Sequence, residues 1–267
     1  MKPALRYLPL LLGWLLAGGS AGVALAAPAQ AQPAKAYMTV IIDDLGQNIE
    51  RDNRVLALPG PVALAIMPDT PHATDFARQG HRAGKTVILH MPMDPATGPY
   101  AWHPGTPLPE LARRLDAALA KVPHAVGLNN HMGSRMTSQV QPMAWLMGEL
   151  QRRHLFFVDS RTSAATVAAA RAQATGLAQV SRDVFLDDVR TPEAIAGQLR
   201  SGIELARRQG SAVLIGHPYP QTLEVLEREV PRLKRQGIEL ITLEQMIAER
   251  SNLAMPAHGA NGLYHNR

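Results

Sequence analysis

Cysteine is absent from the 267-residue sequence, and aromatic residues make up only 4% of it. Without cysteine the chain cannot carry a lipoprotein anchor, and no disulfide is available to indicate an oxidising compartment. With so few aromatic rings, a stacking surface for single-stranded nucleic acid is not expected. Hydrophobic residues account for 46% of the chain, so a full core can be buried. One α/β domain of barrel size fits this length as well as two small domains do.

A strong charge excess is also lacking, although the isoelectric point is near 9.8. Residues 1–31 hold two of the 27 basic residues and no acidic one, so 25 basic residues face 22 acidic residues in the remainder. The basic residues are scattered along predicted helices, as in Arg113-Arg114, and we interpret them as solvated helix faces. We therefore expect no nucleic-acid partner, while a mild attraction to an anionic envelope polymer stays open.

The N-terminal segment has no apolar run of the length that a membrane span needs. Lys2 and Arg6 form a short positive region before the apolar stretch 7–16, and small residues follow it. This pattern predicts a signal peptide over residues 1–31, with candidate Ala-x-Ala cleavage sites that end at Ala26 and Ala31. We predict that the protein is periplasmic or otherwise exported, with no stable membrane span after cleavage. An uncleaved anchor is the alternative.

The rest of the chain alternates short apolar runs with helical periodicity, seven or eight times and without a large gap. The runs that predict strands are 39–42, 62–67, 86–89, 125–128, 155–158, 184–186, 211–215 and 238–241. We expect a linker over 32–37, one domain over 38–250 and a disordered tail over 251–267. The alternation predicts a parallel α/β fold, most economically a closed or nearly closed (β/α)7-8 barrel, with an open doubly wound sheet as the alternative.

The first predicted strand, 39–42, ends in two adjacent carboxylates, Asp43 and Asp44. Ligands of parallel α/β folds bind beyond the C-terminal ends of the strands. Because adjacent side chains of a strand point to opposite sides, we expect the two carboxylates to have different roles, one binding a metal and the other moving a proton. An N-cap for the following helix is the alternative interpretation.

Histidine and aspartate also end several of the later strands, namely His90, His131, Asp159, Asp187, Asp188 and His217. A barrel would bring them to one rim, where one Asp and two His residues suit a divalent transition metal with open positions for water and substrate. Such a metal lowers the pKa of its water and polarises an acyl oxygen, while a further Asp and His move protons. The constellation predicts metal-assisted hydrolysis.

Five short segments carry a family resemblance over about residues 38–250. They are Ile-Ile-Asp-Asp, Leu-His-Met-Pro-Met-Asp-Pro, Gly-Leu-Asn-Asn-His-Met-Gly-Ser-Arg, Val-Asp-Ser-Arg-Thr and Ile-Gly-His-Pro, in this order. With them the sequence resembles the divergent polysaccharide deacetylase family, a distant branch of the polysaccharide deacetylases with the NodB-type fold. The resemblance implies a distorted (β/α) barrel and a glycan substrate.

The resemblance also implies roles for individual residues. In typical polysaccharide deacetylases the first Asp of a Thr-Phe-Asp-Asp motif is the general base and the second binds the metal, and these positions match Asp43 and Asp44. The histidine of a late Leu-x-His motif acts as the acid and matches His217.

The metal motif of typical members, His-x-x-x-His around zinc, is rearranged in this chain. His90 lies near the place of its first histidine, but Asp94 stands where the second would be. We therefore expect the metal ligands Asp44, His90 and His131, the last from the next strand, and we expect the divalent metal to be zinc.

The Arg-Pro-Pro-Tyr segment of typical members is replaced by residues 129–135. From this replacement and from the Asp-Ser-Arg-Thr segment we assign Asn130, Arg135, Asp159 and Arg161 to substrate binding. Arg161 could bind a hydroxyl, a carboxylate or an oxyanion. A buried ion pair between Asp159 and Arg161 is the alternative.

The proline-rich loop 95–109 is long enough to be functional. Within it, Trp102 and His103 could line a sugar groove, and exposure on the surface is the alternative.

Three functions compete at this point. The first is an exported, metal-dependent hydrolase that removes acetyl groups from an amino-sugar polymer of the cell envelope by metal-activated water. The second is a catalytically weak or inactive barrel that binds glycan. The third is a glycoside hydrolase that uses two carboxylates, such as Asp44 and Asp159, and needs no metal. Metal dependence separates the first from the other two.

Overall fold

The structure is a computed structural model that describes residues 36–254, with side chains up to residue 251. Within this range the strands are β1 (Ala36–Leu45), β2 (Ala63–Ile66), β3 (Val87–Met93), β4 (Gly127–Met132), β5 (Phe156–Asp159), β6 (Gln179–Ser181), β7 (Val184–Phe185), β8 (Ser211–Gly216) and β9 (Ile238–Leu240). The helices are α1 (Ile49–Ala57), α2 (Ala73–Arg82), α3 (Leu108–Lys121), α4 (Val140–Arg152), α5 (Ala168–Thr175), α6 (Pro192–Gln209), α7 (Pro220–Glu229) and α8 (Leu243–Ala254).

The strands form one parallel sheet in the order β6-β5-β4-β3-β2-β1-β8-β7, and β9 pairs with the beginning of β1. Helices alternate with the strands and cover the outer face of the sheet. No pairing joins β6 to β7 within residues 36–254, so the sheet is a curled half-barrel that is open between these two strands. This architecture confirms the predicted distorted (β/α) barrel.

Two hydrophobic cores lie on the two faces of the sheet. In β1, Val40 and Ile42 pack against the outer helices, whereas Ile41 between them faces the barrel interior, as the two-residue period of a strand requires. At the N-terminal end of the barrel, Leu243 and Met246 of α8 pack into the same interior cluster. Helix α8 covers this end. The polar residues follow the C-terminal ends of the strands, and in this parallel sheet they therefore meet at the opposite end.

Several boundaries differ from the sequence predictions. Strand β6 is not predicted, because only Val180 of its three residues is buried and no apolar run marks it. Helix α8 continues to Ala254 and so extends into the predicted tail. The predicted signal peptide, most of the linker and the rest of the tail lie outside the described residues. Between Ala36 and Ala254, no helix has the length and apolar character that crossing a membrane requires.

Candidate active site

A cavity of about 490 Å³ lies at the C-terminal ends of the strands. Its lining includes most of the site residues predicted from the sequence, namely Asp43, Asp44, His90, Asn130, His131, Arg161, Asp187, Asp188 and His217. A larger groove of about 690 Å³, beside Pro59 and Pro231, contains none of the predicted site residues. We therefore take the first cavity as the candidate active site.

Three atoms of the predicted metal ligands converge in this cavity. Asp44 Oδ1 lies 3.3 Å from His90 Nε2 and 3.0 Å from His131 Nδ1, and the two nitrogens are 3.1 Å apart. Ligand atoms bound at about 2.0–2.1 Å would lie about 3.0 Å apart in an octahedral shell and about 3.4 Å apart in a tetrahedral one. The observed separations fall in this range, so the spacing of the three donors fits one divalent ion.

The chemistry of these donors leads to the same conclusion. Asp44 Oδ1 is buried, and no well-aligned hydrogen-bond donor contacts it in the described part of the chain. Leaving a buried polar atom unsatisfied costs about 1–3 kcal/mol, and more for a charged group. One carboxylate and two imidazole nitrogens suit zinc and similar metals, and they leave positions open for water and substrate. Asp44, His90 and His131 thus fit the metal that the sequence predicts.

Both carboxylates at the end of β1 face this cavity, so the prediction that they point to opposite sides is wrong. Asp43 Oδ2 and Asp44 Oδ1 lie 3.7 and 3.3 Å from the same atom, His90 Nε2. The pairing of β1 with β2 shifts its register between Ile42 and Leu45, and Asp44 has a left-handed backbone with φ of 58°. This irregularity interrupts the alternation of side chains along the strand.

An amide side chain connects His90 to Asp43. The Nδ1–H of His90 donates to Asn129 Oδ1 at 2.7 Å, and Asn129 Nδ2 donates to Asp43 Oδ1 at 2.8 Å. The carboxylate accepts from the amide NH₂, which leaves the amide oxygen to accept from the imidazole. This hydrogen bond directs Nε2 of His90 toward the metal site, as the second-shell partners of metal-binding histidines commonly do.

The environment moves the pKa values of the two carboxylates apart. Burial raises the pKa of Asp43, and nearby His90 and His217 only partly oppose this shift. Burial acts on Asp44 in the same direction, but the contacts with His131 and His90 outweigh it and leave the pKa of Asp44 well below its usual range. A carboxylate with a raised pKa suits a proton acceptor, and one that stays ionised suits a metal ligand. These are the roles predicted for Asp43 and Asp44.

The same charges act on His90. Burial lowers its pKa, but the carboxylates of Asp43 and Asp44 outweigh this effect and raise the pKa of His90 to about 9. Without a metal, a proton on His90 therefore supplies the positive charge between the two carboxylates.

His217 is oriented by Asp187, to which the sequence assigns no separate role. Its Nδ1–H donates to Asp187 Oδ1 at 2.9 Å, and its backbone N–H donates to Asp187 Oδ2 at 2.6 Å. The hydroxyl of Thr222 also donates to Asp187 Oδ2, at 2.8 Å. Nε2 of His217 is left facing the cavity, 3.8 Å from Asp44 Oδ2. Burial lowers the pKa of His217, but the hydrogen bond to Asp187 and the charge of Asp43 outweigh it, and the pKa is raised.

Two of the residues assigned to substrate binding have structural contacts instead. Asp159 is fully buried and does not line the cavity. Its oxygens accept from the backbone N–H of Arg161 at 2.9 Å and from the hydroxyl of Thr166 at 3.0 Å. Asn130 lines the cavity, but its amide accepts from the N–H of Ser160 at 3.0 Å and donates to the carbonyl of Met132 at 2.7 Å. Both side chains hold the loops after β4 and β5.

The two arginines assigned to substrate binding, Arg161 and Arg135, lie in different places. Arg161 is exposed and lines the cavity, and it forms no ion pair with Asp159, so the alternative of a buried pair is also wrong. Arg135 does not line the cavity and instead pairs with Asp94, which also accepts from Nδ1 of His103 at 3.0 Å. Asp94 therefore has its own partners outside the metal site.

Trp102 does not line a sugar groove at the surface. It is fully buried, forms an isolated bridge with Met93 of β3, and lies 5.8 Å from the ring of Trp145. His103 is part of the Asp94 contact and does not line the cavity. The loop 95–109 is thus anchored by its own core residue.

Two arginines of the cavity, Arg182 and Arg190, are not among the site residues predicted from the sequence. Each guanidinium lies over an aromatic ring, Arg182 at 5.0 Å from Phe185 and Arg190 at 3.9 Å from Tyr219. Both arginines follow very short strands, β6 and β7, which carry little apolar signal. Only the position of these loops on the same rim could have indicated a role from the sequence.

Comparisons with known proteins agree with this geometry. The family model described as divergent polysaccharide deacetylase matches residues 40–247. The uncharacterised protein YibQ of Escherichia coli (strain K12) is 39% identical over 216 residues, which cover 79% of this chain and 67% of that protein. The family match, over residues 40–247, spans nearly the whole described barrel and not a single motif.

Solved structures share the fold at low sequence identity. The uncharacterised protein ATU2773 from Agrobacterium tumefaciens C58 aligns with a TM-score of 0.76 and 21% identity, over 82% of this chain and 91% of that one. The catalytic domain of peptidoglycan N-acetylglucosamine deacetylase from Eubacterium rectale aligns with a TM-score of 0.53 and 14% identity, over 81% and 92%. A CE4 family pseudoenzyme from Bacillus anthracis gives 0.52 and 14%, over 81% and 66%. At this level of identity the likeness shows the fold alone.

Proposed function

The chain belongs to the divergent polysaccharide deacetylase family, and we propose that it is an exported, metal-dependent carbohydrate deacetylase acting on an amino-sugar polymer of the cell envelope. One observation carries this proposal. A single cavity brings the donor triad Asp44, His90 and His131 together with a buried carboxylate, Asp43, and an imidazole held by Asp187. Together these groups can supply the metal site, the base and the acid that metal-assisted hydrolysis of an acetamide uses.

The triad would hold a divalent metal, which we propose to be zinc, and when bound this ion would activate water and polarise the acetyl oxygen. Asp43 lies within 3.7 Å of His90 Nε2, so its free oxygen is next to the place where water would be activated. Burial raises the pKa of Asp43, which makes it a better proton acceptor than an exposed carboxylate. Asn129 holds its other oxygen and fixes its orientation.

In this proposal His217 gives a proton to the departing amine. An amine is a poor leaving group unless it is protonated, so amide hydrolysis needs an acid at the nitrogen. Asp187 binds Nδ1–H of His217 and stabilises the protonated imidazole, as a carboxylate does for the histidine of other hydrolases. The remaining N–H, at Nε2, then points into the cavity toward the bond that breaks.

The two alternative functions, a glycoside hydrolase and a barrel that binds glycan without catalysis, are not equally well supported. A glycoside hydrolase based on Asp44 and Asp159 is not supported, because Asp159 is buried away from the cavity with both oxygens occupied. A barrel that binds glycan without catalysis stays the second candidate. Its support is the fold shared with a pseudoenzyme and the rearranged His-x-x-x-His motif, in which Asp94 has no contact with the triad.

The purified protein should be incubated with N-acetylglucosamine oligomers, with zinc or after treatment with a chelator, and both acetate and oligomer length should be measured. We expect acetate release without shortening, only in the presence of metal, and a fall in kcat of about 10²–10⁴ in Asp43→Asn and His217→Gln. His81→Gln, on α2 and outside the cavity, is the control. Shortened oligomers would indicate a glycosidase instead, and binding with neither product would favour the non-catalytic barrel.

The export part of the proposal has a separate test. It is supported by the charged start, the short apolar run and the small residues of segment 1–31. We expect the protein recovered from the periplasm to begin after Ala26 or Ala31 when its N-terminus is sequenced. Recovery of the uncut chain from the membrane fraction would contradict this.

A further inference from the structure

Three arginines line the cavity beyond the metal triad. Arg161 follows β5, Arg182 follows β6 and Arg190 follows β7. Because β6 and β7 flank the gap in the half-barrel, these guanidinium groups stand around the open side of the cavity. In the part of the chain that the structure describes, no carboxylate lies within salt-bridge distance of any of the three. Guanidinium groups without a carboxylate partner are suited to bind carboxylate or phosphate oxygens in two-pronged contacts.

Two of these arginines are fixed in position by aromatic rings. Arg182 lies 5.0 Å from the ring centre of Phe185, and Arg190 lies 3.9 Å from that of Tyr219. Each ring in turn lies 5.4 Å from the ring of His217. Stacking on a ring restricts a guanidinium and lowers the entropy that it loses on binding. The positive charge is therefore preorganised next to the proposed acid.

The loop after β5 also holds Arg182, and this brings the positively charged residues Arg182 and Arg161 close together. It donates to the carbonyl of Ser160 at 2.7 Å and to that of Arg161 at 2.9 Å. Burial lowers the pKa of Arg182, and the charge of Arg161 lowers it further. In the same place, the hydroxyl of cavity-lining Ser160 is buried and has no hydrogen-bond partner among residues 36–254. An anion with hydrogen-bonding oxygens would satisfy these groups.

Among the carboxylates of the lining, the charge of Asp43 raises the pKa of Arg182, but none lies within salt-bridge distance of the three guanidinium groups. Asp187 is hydrogen-bonded to His217, and Asp43 and Asp44 lie at the triad. The exposed carboxylate of the lining is Asp188, one charge against three guanidinium groups. The open side of the cavity thus keeps an excess of positive charge.

We propose that the ligand of this cavity is an acetylated amino sugar that carries an anionic group, a carboxylate or a phosphate, and that Arg161, Arg182 and Arg190 bind this group. The identity of the acetylated sugar rests on the proposed function, whereas the anion site stands on the three arginines alone. Arg182 is held by backbone carbonyls and sets the position of the site. Arg190 is held on the ring of Tyr219, and Arg161 is exposed and accessible to the ligand.

The test compares three sugars that share the acetamido group. The affinity of the purified protein for N-acetylglucosamine, N-acetylmuramic acid and N-acetylglucosamine 6-phosphate should be measured by calorimetry. We expect at least one charged sugar to bind about tenfold more tightly than the neutral one, and the comparison between the two charged sugars distinguishes carboxylate from phosphate. The advantage should shrink between about 0.05 and about 0.5 M salt, because the guanidinium groups are partly exposed.

Substitutions of the arginines test whether they cause the difference in affinity between charged and neutral sugars. Arg161→Gln and Arg190→Gln should each remove most of the advantage of the charged sugar, and Asp188→Asn should increase it. Arg200→Gln, an exposed arginine of α6 outside the cavity, makes the same change in net charge and should leave all affinities unchanged.

Equal affinities for neutral and charged sugars, no binding of any of them, or the same loss in Arg200→Gln would overturn the anion site. Acetate release by the same preparations is scored separately. Tight binding of a charged sugar without acetate release would support the anion site and contradict the deacetylase.

Discussion

The two ends of the barrel interior are built from the same strands, but one is filled with apolar side chains and the other forms a polar cavity. At the N-terminal end, Leu243 and Met246 of α8 are fully buried among aliphatic side chains. At the C-terminal end, a cavity is lined by four carboxylates, three histidines and three arginines, and one carboxylate oxygen of Asp44 is buried without a donor. The residues that stabilise the fold and those that can do chemistry therefore lie at opposite ends of one sheet.

Backbone strain is more frequent at the polar end, although it is not confined to it. Among the described residues, the non-glycine positions with positive φ are Asp44, His124, Met132, His154 and Arg161. Of these, Asp44, Met132 and Arg161 line the cavity, with φ of 58°, 52° and 49°. A left-handed non-glycine residue costs about 1–3 kcal/mol and persists where the surrounding structure holds it. The buried apolar contacts at the N-terminal end offset the cost of the strained residues at the polar end.

Removing a ligand at the polar end should have the largest effect on function and almost none on folding. In His131→Ala we expect bound zinc to fall from about one per chain to less than about a tenth, and deacetylation to fall more than about a hundredfold, because the triad loses a donor. The free energy of unfolding of the metal-free protein should change by less than about 1 kcal/mol, since this side chain is partly exposed. Elemental analysis and denaturant unfolding measure the two quantities.

The control for this variant is His81→Ala, which removes a histidine from α2 outside the cavity. A variant at His131 that keeps its full zinc content would show that the ligand set is assigned wrongly.

The reciprocal change at the apolar end is Leu243→Ala. We expect it to lower the free energy of unfolding by about 2–5 kcal/mol, because a fully buried leucine is replaced by a cavity. The folded fraction should still bind zinc at wild-type stoichiometry. If zinc binding fell in proportion to stability even in the folded protein, the two ends would be coupled and the separation proposed above would not hold.

A smaller effect is expected when the support of His217 is removed. Asp187→Asn keeps the size of the side chain but removes the charge that stabilises the protonated imidazole, so kcat should fall by about 10²-fold with zinc content unchanged. Steady-state kinetics with zinc-loaded protein measure this. An unchanged kcat would remove His217 from the role of acid, and loss of zinc would place it among the ligands instead.

The smallest of the four effects concerns the amide that orients His90. In Asn129→Leu the imidazole loses its acceptor at Nδ1, and we expect zinc affinity to fall by about 10–100-fold while stoichiometry at saturating zinc stays at one. Competition with a chromogenic chelator measures the affinity. Asn129→Asp keeps an acceptor for His90 and should lose less, and equal losses in both variants would argue against an orienting role.

The sequence predicts the fold and the polar rim because both follow from local signals that recur along the chain, whereas the set of expected metal ligands comes from the family resemblance. Apolar runs that end in His or Asp mark the strands and their C-terminal ends, and parallel pairing brings those ends together. His131 is expected as a ligand in place of the second histidine of the typical motif, and the structure brings it together with Asp44 and His90 although it comes from a different strand.

The parts that the sequence does not predict depend on backbone geometry and on very short elements. The left-handed conformation of Asp44, which turns its side chain to the same side as Asp43, has no sequence signal of the kind that glycine gives. Strand β6 has one buried residue, and the arginine after it, Arg182, is placed only by the curl of the sheet. Asp159 ends a strand as the ligands do, yet it turns into the loop and caps it.

The central claim is that the polar end holds one divalent ion on Asp44, His90 and His131, and a crystal of the zinc-loaded protein tests it most directly. Anomalous scattering at the zinc edge should give a peak about 2.0–2.2 Å from Asp44 Oδ1, His90 Nε2 and His131 Nδ1. The absence of a peak in this cavity at saturating zinc, or a peak bound by His217 and Asp187 instead, would contradict the account.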